Sequence, residues 1–169
     1  LGSCIRATLG DGRAWGLRIR YADEGARTLE TGGGIERVLP LLGSAPFLVV
    51  SADVWLAGAA PYPTVLAADD LATLLLIPNP EHHRTGDFEL AGSGRVHDRE
   101  SGQGGRILTY GGIGLLHPAL FEPHRGGRYP LVERLRPAVA AGRVGGTLYA
   151  GVWSDVGTPE RLEAARRML

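Results

Sequence analysis

The stretch PFLVVSADVW, residues 46–55, decides how the rest of the chain is read. Phe47 to Val50 form an unbroken apolar run, the mark of a central strand covered on both faces, and the run leads to a lone carboxylate, Asp53. GVWSDVGT (151–158) repeats the arrangement, with Val152 and Trp153 ahead of Asp155 and a glycine behind it. Between these two stretches, LATLLLI (71–77) reads as a second buried strand closed by PNP. DFELA and GRVHD read as a short hairpin around Gly92-Ser93-Gly94. RILTYGGIGLLH (106–117) is a long strand whose glycine pair marks a bulge or a close backbone approach.

The remaining segments supply helices and connections. GSCIRATL (2–9) has the character of a helix end closed by Gly10-Asp11-Gly12, and LRIRYADE (17–24) alternates as a half-buried strand does. Thr31 to Gly34 reads as a glycine loop before IERVLPLL (35–42), a helical pattern that Pro40 stops or kinks. Residues 57–64 read as a loop, 131–142 as a helix with Pro137 inside it, and 147–156 as one last strand. In TPERLEAARRML (158–169), Thr158 caps a helix that has Pro159 at its first position. Strands alternating with helices predict one α/β domain over 1–169, a three-layer α/β/α arrangement on a mixed, mostly parallel sheet.

Composition narrows the function classes. The 169 residues are 44% hydrophobic and 21% charged with a formal net charge of zero, which gives nucleic acid no basic surface to meet. All 18 basic residues are arginine, so neither a Walker A loop nor a Schiff-base lysine is available within the chain. The single cysteine, Cys4, excludes an internal disulfide and fits a reducing compartment. No apolar run approaches the roughly 20 residues that span a bilayer, and no secretory signal is visible, so the expectation is a cytoplasmic protein with no membrane partner.

Asp53 and Asp155 are the strongest candidates for chemistry. Each follows an apolar strand and precedes a turn or helix, and in open α/β sheets such strand ends converge on one crevice. Two carboxylates there suit Mg²⁺, which takes one or two of them and fills its other positions with water and phosphate oxygens. Each aspartate taken alone fits a turn cap equally well. LETGGGIERVL (29–39) could bring bare backbone to a ligand or simply link strand to helix. His82 and His83 are adjacent, point apart on most backbones and read as a solvated loop. Gly86-Asp87 could approach a sugar or form an ordinary turn, Gly111 and Gly112 could admit a flat ligand or form a bulge, and Trp153 could stack on a sugar or fill the core.

Five stretches in a fixed order, LETGGGIERVLPLLG, FLVVSADVW, NPEHHRTGDFEL, GIGLLHPALF and WSDVGTPERL, resemble the bacterial sugar-1-phosphate nucleotidyltransferases over nearly the whole chain. The resemblance is nearest to the N-acetylmuramate α-1-phosphate uridylyltransferases of cell-wall recycling, with mannose-1-phosphate guanylyltransferases next. It implies a Rossmann-like nucleotidyltransferase fold, transfer from a nucleoside triphosphate (UTP favoured) to a sugar 1-phosphate (N-acetylmuramate 1-phosphate favoured), release of pyrophosphate, and Mg²⁺. It assigns Asp53 and Asp155 to the metal and to catalysis, and Gly32, Gly33 and Gly34 to the nucleotide. Asn79, Gly86, Asp87, Gly112 and Trp153 fall to the sugar phosphate. The family's NGD is Ser51-Ala52-Asp53 here, and its first strand and Gly- and Arg-rich loop, with a following Lys-Pro, are expected ahead of Leu1. The resemblance therefore implies that this chain alone is inactive. A non-catalytic sugar-nucleotide binding domain is the rival reading, and a metal-dependent glycosyltransferase lacks its Asp-x-Asp motif here. The sequence leaves the oligomeric state open.

Overall fold

A long strand at the centre of a mixed sheet organises the computed structural model, which describes residues 2–58 and 62–168. In chain order the elements are α1 (Gly2–Leu9), α2 (Glu30–Leu42), β1 (Phe47–Val50), β2 (Val54–Leu56), β3 (Ala72–Ile77), β4 (Phe88–Leu90), β5 (Val96–Asp98) and β6 (Arg106–Leu116). α3 (Val132–Ala140), β7 (Val144–Leu148), β8 (Trp153–Asp155) and α4 (Pro159–Arg166) complete the chain. The larger sheet runs β5-β4-β6-β3-β7, and β1 pairs with the second half of β6. β2 and β8 form a separate two-stranded sheet.

The mixed α/β architecture agrees with the sequence, but the expected parallel majority does not hold. Among the described residues β3–β7 is the one parallel pair, and every other ladder is antiparallel. The reason is the length of β6. Its first half pairs with β4 of the hairpin and its second half with β1, both running against it, while β3 runs against it on the other side. The helical crossover through α3 leads into β7, the strand that lies parallel to β3.

Alternation along β3 splits the core in two. Ala72, Leu74 and Leu76 face Leu39 of α2 and Leu135, Ala138 and Val139 of α3. Leu75 and Ile77 face the opposite way, onto Ile113, Tyr149 and the partly buried Val54, Leu56 and Trp153 of the small sheet. The leucines of β3 are 0% exposed, and each such burial stabilises the fold by about 1.5–3 kcal/mol.

Four further expectations need correction. β1 is covered on one face only, because Leu48 and Val50 remain exposed, 44% and 49%, and among the described residues it pairs with β6 alone. Residues 17–24 join no ladder among the described residues. The predicted last strand over 147–156 is broken, since β7 ends at Leu148 and the chain passes through Tyr149–Val152 before β8 enters the second sheet. Gly32–Gly34 belong to the first turns of α2 and are not a loop. Of the loop expected over 57–64, residues 59–61 lie outside the described residues, and the terminal helix closes at Arg166. No helix among the described residues is long and apolar enough to cross a membrane.

The glycines in α2 have a packing reason. A Cβ on Gly32 would stand 2.4 Å from the Tyr129 ring, and one on Gly33 would stand 2.1 Å from the Gly127 carbonyl oxygen. Their N–H groups donate to the Tyr129 carbonyl at 3.0 and 3.2 Å, so bare backbone lets the segment before α3 sit against the helix start. Glu36, one turn further, locks the same segment. Its buried carboxylate accepts from the Arg125 and Gly126 N–H groups at 3.0 and 2.5 Å, from the Tyr129 hydroxyl at 2.5 Å and from Arg134 at 3.1 Å. Burial works against this charge, but the donors from Tyr129, Gly126, Arg134 and Arg125 outweigh it and hold the carboxyl below its ordinary value.

A carboxyl held low in the folded state contributes stability above its unfolded pKa, and that contribution is lost as pH falls through the folded value. Glu36→Gln should therefore lower stability near neutral pH by about 1–3 kcal/mol and flatten the acid side of the melting curve. Thermal melts at a series of pH values from about 3 to 7 check both effects.

Candidate active site

The β2–β8 ladder brings the backbones of the two aspartates side by side. Val54 pairs with Asp155, and the Val156 N–H donates to the Asp53 carbonyl at 2.7 Å, so Asp53 and Asp155 sit one register position apart. Asp53 lies in the turn between β1 and β2 and is exposed. Its Oδ2 is 3.5 Å from the point a Cβ on Gly157 would occupy. The Asp155 carboxylate is about a quarter exposed, accepts from the Arg161 guanidinium through Oδ2, and has His82 Nε2 at 3.6 Å from the same oxygen.

The β6 bulge forms the next part of the site. Leu74 pairs with Gly114 and Leu76 with Tyr110, so the ladder shifts across Gly111-Gly112. Gly112 has φ +75°, a conformation costly for other residues, and its carbonyl accepts from the Ser51 N–H at 2.8 Å. That bond fixes the turn carrying Asp53 to β6. The room beside Gly111 is taken by Ile77 and by Trp153, whose Nε1–H donates to the Gly111 carbonyl at 3.0 Å. The room beside Gly112 is taken by Val54 and Ser51.

Asn79, Gly86 and Asp87 are gathered into one wall beside β6. The Thr109 hydroxyl donates to Asn79 Oδ1 at 2.9 Å, and Asn79 Nδ2 donates to the Arg84 carbonyl at 3.2 Å. A Cβ on Gly86 would stand 2.7 Å from Asn79 Oδ1. Asp87 accepts from the Tyr110 N–H at 2.8 Å and pairs with His83 Nε2 at 2.9 Å. The adjacent histidines do diverge, as expected, but each faces a carboxylate: His82 looks to Asp155 and His83 to Asp87. Asp53, Gly112, Trp153 and Asp155 are thus tied together, with Asn79, Gly86 and Asp87 along the same strand.

Gly32, Gly33 and Gly34 stand apart from this cluster. A cavity of about 730 Å³ opens along α2 between Leu29, Gly33, Arg37, Pro40, Pro118 and His124, and Gly33 is the one expected site residue on its wall. The carboxylates of Asp53 and Asp155 do not line it. Arg161 and His82 are the neighbours of Asp155 that sequence reasoning missed. The signal for Arg161 was the spacing of DVGTPER: Thr158 caps α4, accepting from the Arg161 N–H at 3.3 Å, which sets residue 161 in the first helical turn just beyond Asp155.

Solved structures share this architecture. HddC from Yersinia pseudotuberculosis, complexed with GMP-PN, superposes with a TM-score of 0.72 at 16% identity over 99% of this chain and 75% of its own. A Bacillus anthracis structure assigned as a glucose-1-phosphate thymidylyltransferase, in complex with a sucrose, gives 0.70 at 15% identity over 98% of this chain and 71% of its own. The fold is that of the sugar-1-phosphate nucleotidyltransferases. No family model matches the chain. The N-acetylmuramate alpha-1-phosphate uridylyltransferase of Neisseria meningitidis serogroup B is 40% identical over 173 residues, covering 99% of this chain and 74% of the relative. Its Caulobacter vibrioides counterpart is 34% identical over 161 residues, covering 90% of this chain and 66% of the relative. The chain belongs to the N-acetylmuramate alpha-1-phosphate uridylyltransferase family.

The bulge is a point at which the site can be tested through stability. Gly112→Ala places a Cβ 2.8 Å from Val54 and 2.9 Å from the Ser51 hydroxyl on a positive-φ backbone. The expected loss is about 2–3 kcal/mol, read as a fall in the denaturation midpoint.

Proposed function

We propose that this chain carries the catalytic carboxylates of a Mg²⁺-dependent nucleotidyltransferase that joins UMP from UTP to a sugar 1-phosphate, N-acetylmuramate 1-phosphate being favoured. The observation that carries this reading is the β2–β8 register, which sets Asp53 beside Asp155 in a chain of the uridylyltransferase family. A phosphate oxygen of the sugar 1-phosphate attacks the α-phosphorus of the nucleotide. The bond to the pyrophosphate oxygen breaks, and pyrophosphate leaves with the electron pair. No covalent enzyme intermediate is required, so the chain's task is to align the two substrates and neutralise their charge.

The donor set fits a hard divalent cation. Asp155 lies on β8 and Asp53 in the turn that leads into the neighbouring β2, and a cationic side chain already rests on Asp155. Asp53 and Asp155 would hold Mg²⁺, which when bound screens the charge of the approaching phosphates. Asn79, Gly86, Asp87, Gly112 and Trp153 shape the sugar-phosphate side, where the hydrogen bonds of Asn79 and Asp87 keep that wall rigid. The nucleotide role of Gly32, Gly33 and Gly34 would lie in the packing of the α2 start, since Gly32 and Gly33 are buried against Tyr129 and Gly127. The family's phosphate-binding lysine has no counterpart among these residues, so the 169-residue chain assayed alone should turn over little.

Pyrophosphate release from UTP and N-acetylmuramate 1-phosphate tests the reading in a protein that also carries the family's Gly- and Arg-rich loop. Asp155→Asn and Asp53→Asn should each cut turnover by about 10³-fold or more while the melting temperature holds. Retained activity in either variant removes the metal assignment. Preference for GTP and mannose 1-phosphate would transfer the chain's specificity to the guanylyltransferase class.

A further inference from the structure

We infer that Arg161 is a placeholder cation, resting on Asp155 in the free protein and moving to substrate phosphate when a divalent ion enters. This rests on the reading of Asp53 and Asp155 as the metal pair. The Thr158 cap and Pro159 fix the start of α4 and place Arg161 in its first turn. From there the guanidinium reaches Asp155 Oδ2, and His82 Nε2 faces the same oxygen at 3.6 Å. Arg161 and His82 therefore both gather on Asp155, while Asp53, beside the ladder, is exposed.

Two cations that share one carboxylate repel each other, so a divalent ion and the guanidinium compete for Asp155. The Arg161 side chain is over a third exposed, which leaves it a path into solvent when it is displaced. It remains tethered to the first turn of α4, beside the site where the phosphates arrive. Its planar fork of donors matches phosphate oxygens. The exchange keeps Asp155 partly neutralised before the ion binds and supplies a positive charge to the phosphates afterwards.

This role has a signature that a structural ion pair lacks. Removing the charge should tighten metal binding and weaken substrate binding at once. The probe is Mn²⁺ alone, its affinity read by electron paramagnetic resonance in the absence of nucleotide, alongside steady-state kinetics with the sugar 1-phosphate, both in the protein that also carries the family's Gly- and Arg-rich loop. Arg161→Gln should bind Mn²⁺ about 3- to 10-fold more tightly than the unaltered protein while kcat/KM for the sugar 1-phosphate falls at least about 10-fold. Arg161→Lys, which keeps the charge and tests the inference should the Gln variant fold poorly, should stay near the unaltered Mn²⁺ affinity and recover part of kcat/KM. Unchanged or weakened Mn²⁺ binding in Arg161→Gln overturns the inference, as does tighter binding in Arg161→Lys by the full amount. Asp155→Asn separates the two levels. Loss of its Mn²⁺ binding supports the metal pair whatever Arg161 does, and undiminished binding overturns the pair and this inference together.

Discussion

The short antiparallel ladder between β2 and β8 is the constraint on which the site depends. It joins residues far apart in the chain, and its register decides which side chains meet. Val54 opposite Asp155, with the Val156 N–H on the Asp53 carbonyl, makes the two aspartates neighbours. A slip of one residue would put another residue opposite Val54 and move Asp155 along the ladder, away from the turn that carries Asp53. The ladder is only three residues long, so its own hydrogen bonds do not secure it. The buried faces of Leu75, Ile77 and Ile113 do, because Val54, Leu56 and Trp153 cover them.

The β6 bulge passes this order from the sheet to the site. Its glycines let Ser51 bond to the Gly112 carbonyl and Trp153 bond to the Gly111 carbonyl, so the turn of Asp53 and the strand of Asp155 are both moored to β6. Asp87 bonds to Tyr110 and Asn79 to Thr109, immediately before the bulge. The same strand therefore positions the carboxylates and the wall beside them. The Glu36 network does comparable work on the other face of the sheet, where one buried carboxylate holds the 125–129 segment against α2. These are two separate devices, and damage to Glu36 should reach the Asp53–Asp155 pair only through global stability.

Much of this was legible in the residues, and the failures share a physical cause. The hairpin, the bulged long strand and the capped last helix each carry local signals, turn glycines and a Thr-Pro start, that survive folding unchanged. The matched contexts of Asp53 and Asp155 were visible for the same reason. Strand direction was not, because apolar runs such as 47–50 look alike whether they pair parallel or antiparallel. Three glycines in a row read as a loop, whereas α2 accepts them because Gly127 and Tyr129 press on that turn. The break between β7 and β8 was hidden because both halves are apolar, although they serve different sheets. His82 and Arg161 were missed because their importance lies in which carboxylate they face, and that is a property of the tertiary structure.

The central claim is that Asp53 and Asp155 hold one divalent ion between them, and crystals grown with Mn²⁺ address it most directly. Anomalous diffraction should show a single peak within about 2.0–2.3 Å of an oxygen from each carboxylate. A peak bound to one aspartate without the other, or no peak at the β2–β8 ladder in crystals that bind Mn²⁺ elsewhere, would contradict the account.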